Sequence, residues 1–321
     1  MTRYGPNLGI LLVAALWGSS YTAMQQVGQH LDVGAFLLLR FGIAAVVVTA
    51  VTLPGIRNLS RDECAVGVQY GVLLFGVLAL ETLGVQHTSA SNAGFLIAVS
   101  VVVVPLAERL LFKSELPLAL YPCVLLALAG TALLTLNGDV ALGRGDLLIL
   151  AAALLRGTQT AVYGARARSV VMSPLRVTSI QMWVVTILGG AVIAVTPGSA
   201  TAQISSLPVS GWILLGYLAV FCTALAFLIQ LWAAPKAKAT QIGLILSAEP
   251  VFAALTAVTF AGESLAGIQL LGGILILGAV VGGRLAESAV PSIPRPLATL
   301  DPAAVDQAST TCPIVTTKKR R

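Results

Sequence analysis

Long apolar stretches recur along almost the whole chain and are separated only by short polar breaks. A helix rises about 1.5 Å per residue and the hydrocarbon of a bilayer is about 30 Å thick, so about 20 apolar residues are enough to span it. The stretches lack the period-two alternation of membrane barrel strands. The pattern therefore predicts an all-α integral membrane protein with ten transmembrane helices, near residues 8–28, 34–54, 66–86, 91–112, 118–136, 146–164, 176–196, 211–232, 240–260 and 266–284.

The composition of the chain excludes a soluble globular domain. Hydrophobic residues make up 57% of the 321 residues and charged residues only 10%, whereas soluble domains carry about 25% charged residues. The first apolar stretch is long enough to span and is predicted to remain as a helix, so no cleavable signal peptide is expected. From residue 286 onward prolines interrupt a polar stretch, which predicts a disordered tail at 286–321.

The placement of basic residues predicts the orientation of the chain. With the N-terminus in the cytoplasm and ten spans, only Arg144 of the 19 Lys and Arg residues falls in an outer loop, and only Arg40 and Arg156 fall inside spans. Cytoplasmic loops of membrane proteins carry such an excess of basic residues. We therefore expect a multi-pass protein of the bacterial cytoplasmic (inner) membrane with both termini in the cytoplasm. The net charge of +6 follows from this topology and not from nucleic-acid binding.

The chain also repeats itself. A shift of 139 residues places Gly18 on Gly157, and a later shift of 148 residues places Phe112 on Phe260. Residues 1–141 and 142–285 are therefore predicted to be two repeats of five helices each. Because five is odd, the second repeat must be inverted relative to the first, and inverted repeats are typical of secondary transporters, whose sites lie at the repeat interface.

Several motifs resemble the EamA-type transporters of the drug/metabolite transporter superfamily. They are Trp17-Gly18-Ser19-Ser20-Tyr21, Gly145-Asp146-Leu147-Leu148, and Ala248-Glu249-Pro250-Val251-Phe252-Ala253-Ala254-Leu255, followed by Gly262-Glu263 and Gln269-Leu270-Leu271-Gly272-Gly273. The resemblance covers about residues 8–284. It implies two inverted five-helix repeats, with spans 1, 3, 4, 6, 8 and 9 around a central cavity.

Members of that family carry amino acids, other small metabolites or drugs, often outward. The resemblance therefore implies efflux of a small solute. The chain departs from the family at Arg156, where relatives often have an aromatic residue, and its first repeat lacks a counterpart of the Glu249-Pro250 pair. These departures leave the substrate, the direction of transport and the coupling ion open.

Four charged residues fall inside predicted spans: Arg40, Glu81, Arg156 and Glu249. A charge at the centre of a bilayer costs about 3 kcal/mol on insertion scales, so such residues need partners or water. Counting the helical rise puts Arg40 and Glu81 about 9 Å and 8 Å from the outer face, and Arg156 and Glu249 about 14 Å and 12 Å from the inner face. Matching depths predict the pairs Arg40–Glu81 and Arg156–Glu249, or exchange among the four.

Each pair allows a functional and a structural interpretation. Arg156 occupies the repeat-related position of Trp17, where a guanidinium can hold a substrate carboxylate in a forked geometry. The alternative is that Glu249 simply neutralises it. For Glu249 we consider solute binding or proton coupling against a hydrogen-bonded group beside Pro250, and for Arg40 and Glu81 a structural ion pair.

Weaker candidates complete the predicted site. Pro105 and Pro250 are predicted to kink spans 4 and 9. The remaining cavity candidates are polar or aromatic residues within spans, for which interhelical hydrogen bonding or packing is the alternative: Trp17, Tyr21, Asn92, Gln159 and Gln241.

The hypothesis that follows is a secondary transporter, not an enzyme, that moves a small metabolite by alternating access. No cofactor and no metal site is predicted, and no phosphate-binding loop is found. Proton coupling and a monomeric or homodimeric state are left open. The alternatives are a membrane-embedded enzyme, which would need a cluster of acids or histidines that the chain lacks, and a non-transporting sensor or scaffold.

Overall fold

The computed structural model describes residues 5–53, 59–113, 120–135, 143–169, 172–196, 200–233, 236, 245–246 and 248–288, which all belong to one unit, Met1–Val290. Every regular element in these ranges is a helix, which confirms the predicted all-α class. The predicted tail lies outside the description except for residues 286–288, which end the last helix.

The described helices follow one another along the chain, and a π-helix, Tyr217–Leu225, lies between α10 and α11. They are α1 Gly5–Val27, α2 Val33–Thr52, α3 Arg61–Val85, α4 Ala90–Ala98, α5 Ser100–Phe112, α6 Leu120–Thr135, α7 Arg144–Ser169, α8 Pro174–Val195, α9 Ala200–Ser206, α10 Val209–Gly216, α11 Ala226–Ala233, α12 Glu249–Phe260 and α13 Gly267–Ser288.

Six helical segments are long and apolar enough to cross a membrane, which confirms a multi-pass membrane chain. They expose large apolar side chains such as Val46, Ile187 and Ile213, as expected where lipid replaces water. The six segments are Gly5–Val27, Val33–Thr52, Arg61–Val85, Ala90–Phe112, Pro174–Val195 and Val209–Ala233, and the shorter apolar helices are Tyr121–Gly130, Glu249–Phe260 and Gly267–Gly283.

Local signals explain where several helices begin. The Asp32 side chain accepts a hydrogen bond from the backbone of Ala35 at the start of α2. Ser60 and Glu63 form a reciprocal capping box at the start of α3, and Pro174 occupies the first position of α8. Each arrangement satisfies or removes a backbone N–H that has no acceptor inside its helix.

Two predicted spans are not continuous α-helices. The stretch 91–112 is interrupted at Val99, between α4 and α5, and Pro105 lies within α5 after the interruption. Pro250 is the second residue of α12, where a proline removes no helical hydrogen bond. The stretch 211–232 consists of α10, the π-helix and α11. The interruption before α5 and the start of α12 at Glu249 are therefore the irregular points near the two prolines.

Helix α1 is enclosed by elements from the second half of the chain. Trp17 Nε1 donates to the Cys222 carbonyl at 3.0 Å, and Ser19 Oγ is 2.6 Å from the Tyr217 hydroxyl. On its other side Gly18 lies against the backbone of Glu249, where an added Cβ would come within 2.6 Å of the carbonyl oxygen. The glycine thus allows α1 and α12 to approach closely.

Helix α7 occupies a corresponding place among elements of the first half. Gln159 Nε2 donates to the Tyr70 carbonyl of α3 at 3.1 Å. Gly157 lies against α5, where an added Cβ would come within 2.6 Å of Val103 Cβ and 2.8 Å of the Ser100 carbonyl. Helices α2 and α8 also pack together, as do α6 and α13.

An ion pair near the predicted inner ends of α3 and α8 joins the two halves. Glu63, which is 1% exposed, accepts from Arg176 Nε at 2.9 Å and Nη2 at 2.6 Å. It also accepts from the Ser173 backbone at 2.7 Å. Bidentate contacts of this kind are the strongest protein ion pairs.

Replacing Arg176 with Gln should destabilise the protein, because the buried Glu63 carboxylate would lose its only ion-pair partner among the described residues. We expect the free energy of unfolding to fall by about 3 kcal/mol. Unfolding followed by tryptophan fluorescence in detergent measures the change. Arg61→Gln removes an exposed arginine from the start of α3, near Glu63, and should have little effect. Equal losses in both variants would contradict this account of the pair.

Candidate functional site

The four intramembrane charges lie on four different helices: Arg40 on α2, Glu81 on α3, Arg156 on α7 and Glu249 at the start of α12. Arg40, Glu81 and Glu249 are buried at 5%, 6% and 8% exposure. The Arg156 side chain keeps 26% of its surface accessible. Arg156 is therefore the charge in this group that a solute can reach most easily.

Arg156 and Glu249 lie side by side. Arg156 Nη1 is 3.7 Å from Glu249 Oε1, and the Tyr21 hydroxyl donates to the same oxygen at 2.8 Å. The Arg156 guanidinium carbon also lies 5.4 Å from the centre of the Trp17 ring, within the range of a cation–π contact. The structure thus brings Trp17, Tyr21, Arg156 and Glu249 together in one place.

Local structure explains how these side chains meet. Glu249 is in the first turn of α12, where a carboxylate interacts favourably with the helix dipole. Gly18 lets α1 touch the α12 backbone, and Trp17 and Tyr21 lie one residue before and three residues after it. Because residues three or four apart share a helix face, α1 presents both aromatic side chains on the side of α12 and α7.

The structure does not join Arg40 to Glu81 in an ion pair. Arg40 Nε instead donates to Thr223 Oγ1 at 3.0 Å, and its guanidinium lies 5.7 Å and 5.6 Å from the Phe36 and Phe41 rings. Within the described ranges, Arg40 Nη1 is buried without a hydrogen-bond partner. The physical reason is packing, since α2 lies along the π-helix that carries Thr223.

Glu81 lies among the other charged groups without an ion-pair partner in the described part of the chain. It interacts electrostatically with Arg156, Glu249 and Arg40, and the Tyr21 hydroxyl lies beside its carboxylate. The four charges therefore form one cluster around Tyr21, in which Arg156–Glu249 is the closest opposite pair.

The remaining predicted residues lie in different surroundings. Asn92 is buried on α4, and its Oδ1 has no hydrogen-bond partner among the residues described. Gln159 is bonded to the backbone of α3, and Pro250 is buried next to Glu249. Gln241 lies outside the described residues, and for Pro105 only the backbone position within α5 is described.

No motif in the sequence indicates the polar groups around Arg40. Thr223 is fully buried in the π-helix, and its hydroxyl donates to the Leu218 carbonyl at 2.8 Å, a contact across five residues. It thereby offers its oxygen to Arg40. Threonine in an apolar stretch is a weak signal, because its hydroxyl can bond to its own helix, and no feature of the stretch 211–232 indicates a π-helix.

At the predicted outer ends of the helices, two acids tie the halves together. Glu263 accepts hydrogen bonds from the Ala90 backbone at 2.7 Å and from the Ser91 hydroxyl at 2.6 Å. Thr88 donates to Asp146 at the start of α7. Glu263 therefore caps the N-terminus of α4 from the other half of the chain.

Replacing Glu263 with Gln should loosen this outer contact, because an uncharged amide interacts less well with helix N–H groups than a carboxylate. We expect a loss of about 1 kcal/mol in stability. Hydrogen exchange of the Ala90 and Ser91 amides should also become faster. Asp62→Asn, which changes an exposed acid in the first turn of α3, is the matched control. Unchanged exchange at both amides would contradict the capping role.

A sequence model of the EamA-like transporter family matches this chain twice, over residues 6–136 and 143–282. The two matches together cover most of the described helices. They also coincide with the stretches in which the internal repeat was predicted.

Several proteins resemble the chain over most of its length. An uncharacterized transporter of Archaeoglobus fulgidus is 29% identical over 279 residues, which cover 87% of this chain and 85% of that protein. The threonine/homoserine exporter RhtA of Salmonella typhimurium is 29% identical over 258 residues, 79% of this chain and 83% of that protein. A solved crystal structure covers 91% of this chain and 100% of its own, with a TM-score of 0.63 at 19% identity, and supports the fold alone.

Proposed function

The chain belongs to the EamA-like transporter family, and from this premise we propose that it exports amino acids or related small zwitterions across the bacterial inner membrane by alternating access. The proposed solute carries a carboxylate and an ammonium group on the same carbon atom. Its binding site is the group formed by Trp17, Tyr21, Arg156 and Glu249.

The observation that carries this proposal is the distance of 3.7 Å between Arg156 Nη1 and Glu249 Oε1. A fully formed charge-assisted hydrogen bond between such groups measures about 2.8 Å. The two charged groups therefore lie near each other without forming a short hydrogen bond, and Arg156 has N–H donors available for a solute carboxylate. A zwitterion can place its carboxylate on Arg156 and its ammonium group beside Glu249, so that both charges of the protein remain neutralised.

Tyr21 and Trp17 restrict the pose of that solute. The Tyr21 hydroxyl already occupies one side of Glu249 Oε1, and the Trp17 ring covers the Arg156 guanidinium. A guanidinium held by an aromatic ring is oriented before the solute binds, which reduces the entropy lost on binding. The side chain of the solute would extend away from this corner.

The same proposal includes ten spans arranged as two inverted repeats, 1–141 and 142–285, with both termini in the cytoplasm. The helix contacts support it, because the most extensive contacts between helices have counterparts when the halves are exchanged. Helix α1 meets α12 and the Val209–Ala233 segment, and α7 meets α5 and α3. Gly18 and Gly157, which correspond in the sequence repeat, both lie at such close approaches.

The relative directions of the helices give independent support. Thr49 of α2 contacts both Ser179 and Trp183 of α8 while Gly34 contacts Ile193, so these helices run in opposite directions. Helices α3 and α8 run in the same direction, because Glu63 meets Arg176 and Gly71 meets Val184. An inverted second repeat requires both relations, since it makes span 7 antiparallel to span 2 and parallel to span 3.

The relatives favour amino acids over other solutes. One similar protein is named a threonine/homoserine exporter, and both of the solutes in its name are zwitterions. A membrane-embedded enzyme remains the alternative class, but among the described residues no group of three or more His, Cys, Asp or Glu side chains could hold a metal ion. We propose further that transport is driven by an ion gradient and that the unit is a monomer or homodimer.

Counterflow into proteoliposomes tests this function. Vesicles preloaded with unlabelled L-amino acids should take up labelled threonine or another labelled L-amino acid faster than protein-free vesicles. N-acetyl-threonine, which lacks the ammonium group, and threoninol, which lacks the carboxylate, should compete poorly with the zwitterion. Equal competition by all three would contradict the two-charge site. No exchange of any amino acid would contradict the proposed function.

A further inference from the structure

Glu81 is a buried acid that the proposed binding site does not use. It is 6% exposed on a helix that crosses the membrane, and it lies beside Tyr21, close to the solute-binding corner. The described residues give it no ion pair. An isolated carboxylate is among the most costly groups to bury, unless it takes up a proton or finds a cation.

The Tyr21 hydroxyl lies between two carboxyl groups. It donates its single proton to Glu249 Oε1 at 2.8 Å and also lies beside Glu81. A phenol has one donor, so it cannot satisfy both carboxylates at once. Glu249 has Tyr21 and Arg156 as partners, whereas Glu81 must rely on a proton of its own or on a cation that moves towards it.

Of the two arginines in the cluster, Arg40 is the one that has no ion pair with an acid among the described residues. Its Nε is bonded to the neutral Thr223, and its Nη1 has no acceptor among the residues described. Arginine stays protonated in proteins, so this charge is permanent. Glu81 interacts electrostatically with this buried cation and also with the solute-binding Arg156.

We propose that Glu81 carries the proton that is exchanged for the solute. This inference rests on the proposed function and deepens it by naming the coupling residue. No covalent bond in the solute changes. A proton from the outer water binds the Glu81 carboxylate, and the same proton leaves to the inner water when the site faces inward, once for each solute exported. The charged groups that face Glu81 are Arg156, Glu249, Arg40 and Tyr21.

Competition between positive charges gives the coupling. A solute ammonium group beside Glu249 brings a positive charge close to Glu81 and favours the ionised form of the Glu81 carboxyl group. Binding of the solute therefore weakens binding of the proton to Glu81, and binding of the proton weakens binding of the solute. The ionised Glu81 can pair with Arg40, whose free Nη1 would then have an acceptor. When Glu81 is protonated it does not form this ion pair, and Arg40 keeps its hydrogen bond to Thr223, as observed in the structure.

The first measurement uses the wild type alone. Proteoliposomes with a pH dye inside and the membrane potential clamped are loaded with a pool of L-amino acids. Solute efflux should acidify the lumen, and a gradient of one pH unit should drive about a tenfold concentration ratio if one proton exchanges for one zwitterion. Solute movement without proton movement would overturn the assignment. No solute movement at all would contradict the proposed function instead.

The second measurement identifies the residue. Glu81→Gln should still exchange solute, but with a raised KM, because the amide resembles the protonated acid and lacks the negative charge that favours the solute ammonium group. It should also lose the roughly tenfold response to one pH unit. Glu108→Gln, an acid-to-amide change near the inner end of α5, should keep both activities. Full proton coupling in Glu81→Gln would overturn the proposal. If Glu81→Gln exchanges no solute, Glu81→Asp decides: coupled transport supports the proposal and uncoupled exchange overturns it.

Discussion

Arg156→Ala should reduce amino-acid transport by about 100-fold in kcat/KM, because it removes the group that holds the solute carboxylate. Loss of one partner from a desolvated charge pair costs about 3 kcal/mol, and each 1.4 kcal/mol corresponds to a factor of ten. The change also leaves the buried Glu249 without the cation at 3.7 Å. Initial rates of counterflow over a range of solute concentrations measure the effect.

Two further variants separate the contributions of charge and geometry. Arg156→Lys keeps the positive charge but loses the planar fork of donors and the stacking on Trp17. We expect about a tenfold loss, intermediate between Ala and the wild type. Arg144→Ala removes an exposed arginine from the same helix and should transport normally. If Arg156→Ala transports an uncharged or cationic solute as well as the wild type does, Arg156 does not anchor the solute.

Gly94→Val should prevent correct assembly of the bundle, because α4 and α12 touch at this residue. A Cβ at Gly94 would overlap the Ala253 side chain, which is completely buried. Overpacking a filled core costs about 1–3 kcal/mol for added methyl groups. Here the position is contacted by α12, which carries Glu249, so a shift of that helix also moves the solute-binding corner.

The milder Gly94→Ala change makes this prediction measurable if the valine variant does not fold. We expect an unfolding free energy lower by about 2 kcal/mol and a larger KM, since Tyr21 lies at the same contact. Gly216→Ala is the matched control, because nothing lies within 4 Å of its added Cβ. Removing a helical glycine should stabilise that variant by up to about 1 kcal/mol. Equal behaviour of the two alanine variants would show that the α4–α12 approach is not limiting.

The helical class and the family were predictable because they depend on local or additive properties. An apolar stretch of sufficient length must form a helix in lipid, whatever its neighbours are. Caps such as that of Ser60 with Glu63 involve residues three apart, so they can be predicted from the sequence. The motifs around Trp17 and Glu249 likewise lie within short segments, and the family match has confirmed the resemblance they indicated.

The irregular points were less predictable, because they reflect packing as well as local chemistry. The prolines indicated disturbed helices near Pro105 and Pro250, but the helix is interrupted at Val99 and α12 begins at Glu249. The π-helix at Tyr217–Leu225 had no sequence signal. Its Thr223 satisfies both its own helix and Arg40, an arrangement that depends on where α2 lies.

Depth along each span could be counted from the residues, and the count placed Arg156 and Glu249, whose side chains lie 3.7 Å apart, at similar depths. The count also placed Arg40 and Glu81 at similar depths, but these two side chains form no ion pair, and Arg40 is bonded to Thr223 instead. A side chain's depth follows from the fixed rise of a helix. The direction in which it points depends on how each helix is rotated against its neighbours, and close approaches such as those at Gly18 and Gly94 set that rotation. The sequence therefore determines which residues are charged and how far along a helix they lie, whereas the packing of the helices determines which of these side chains form pairs.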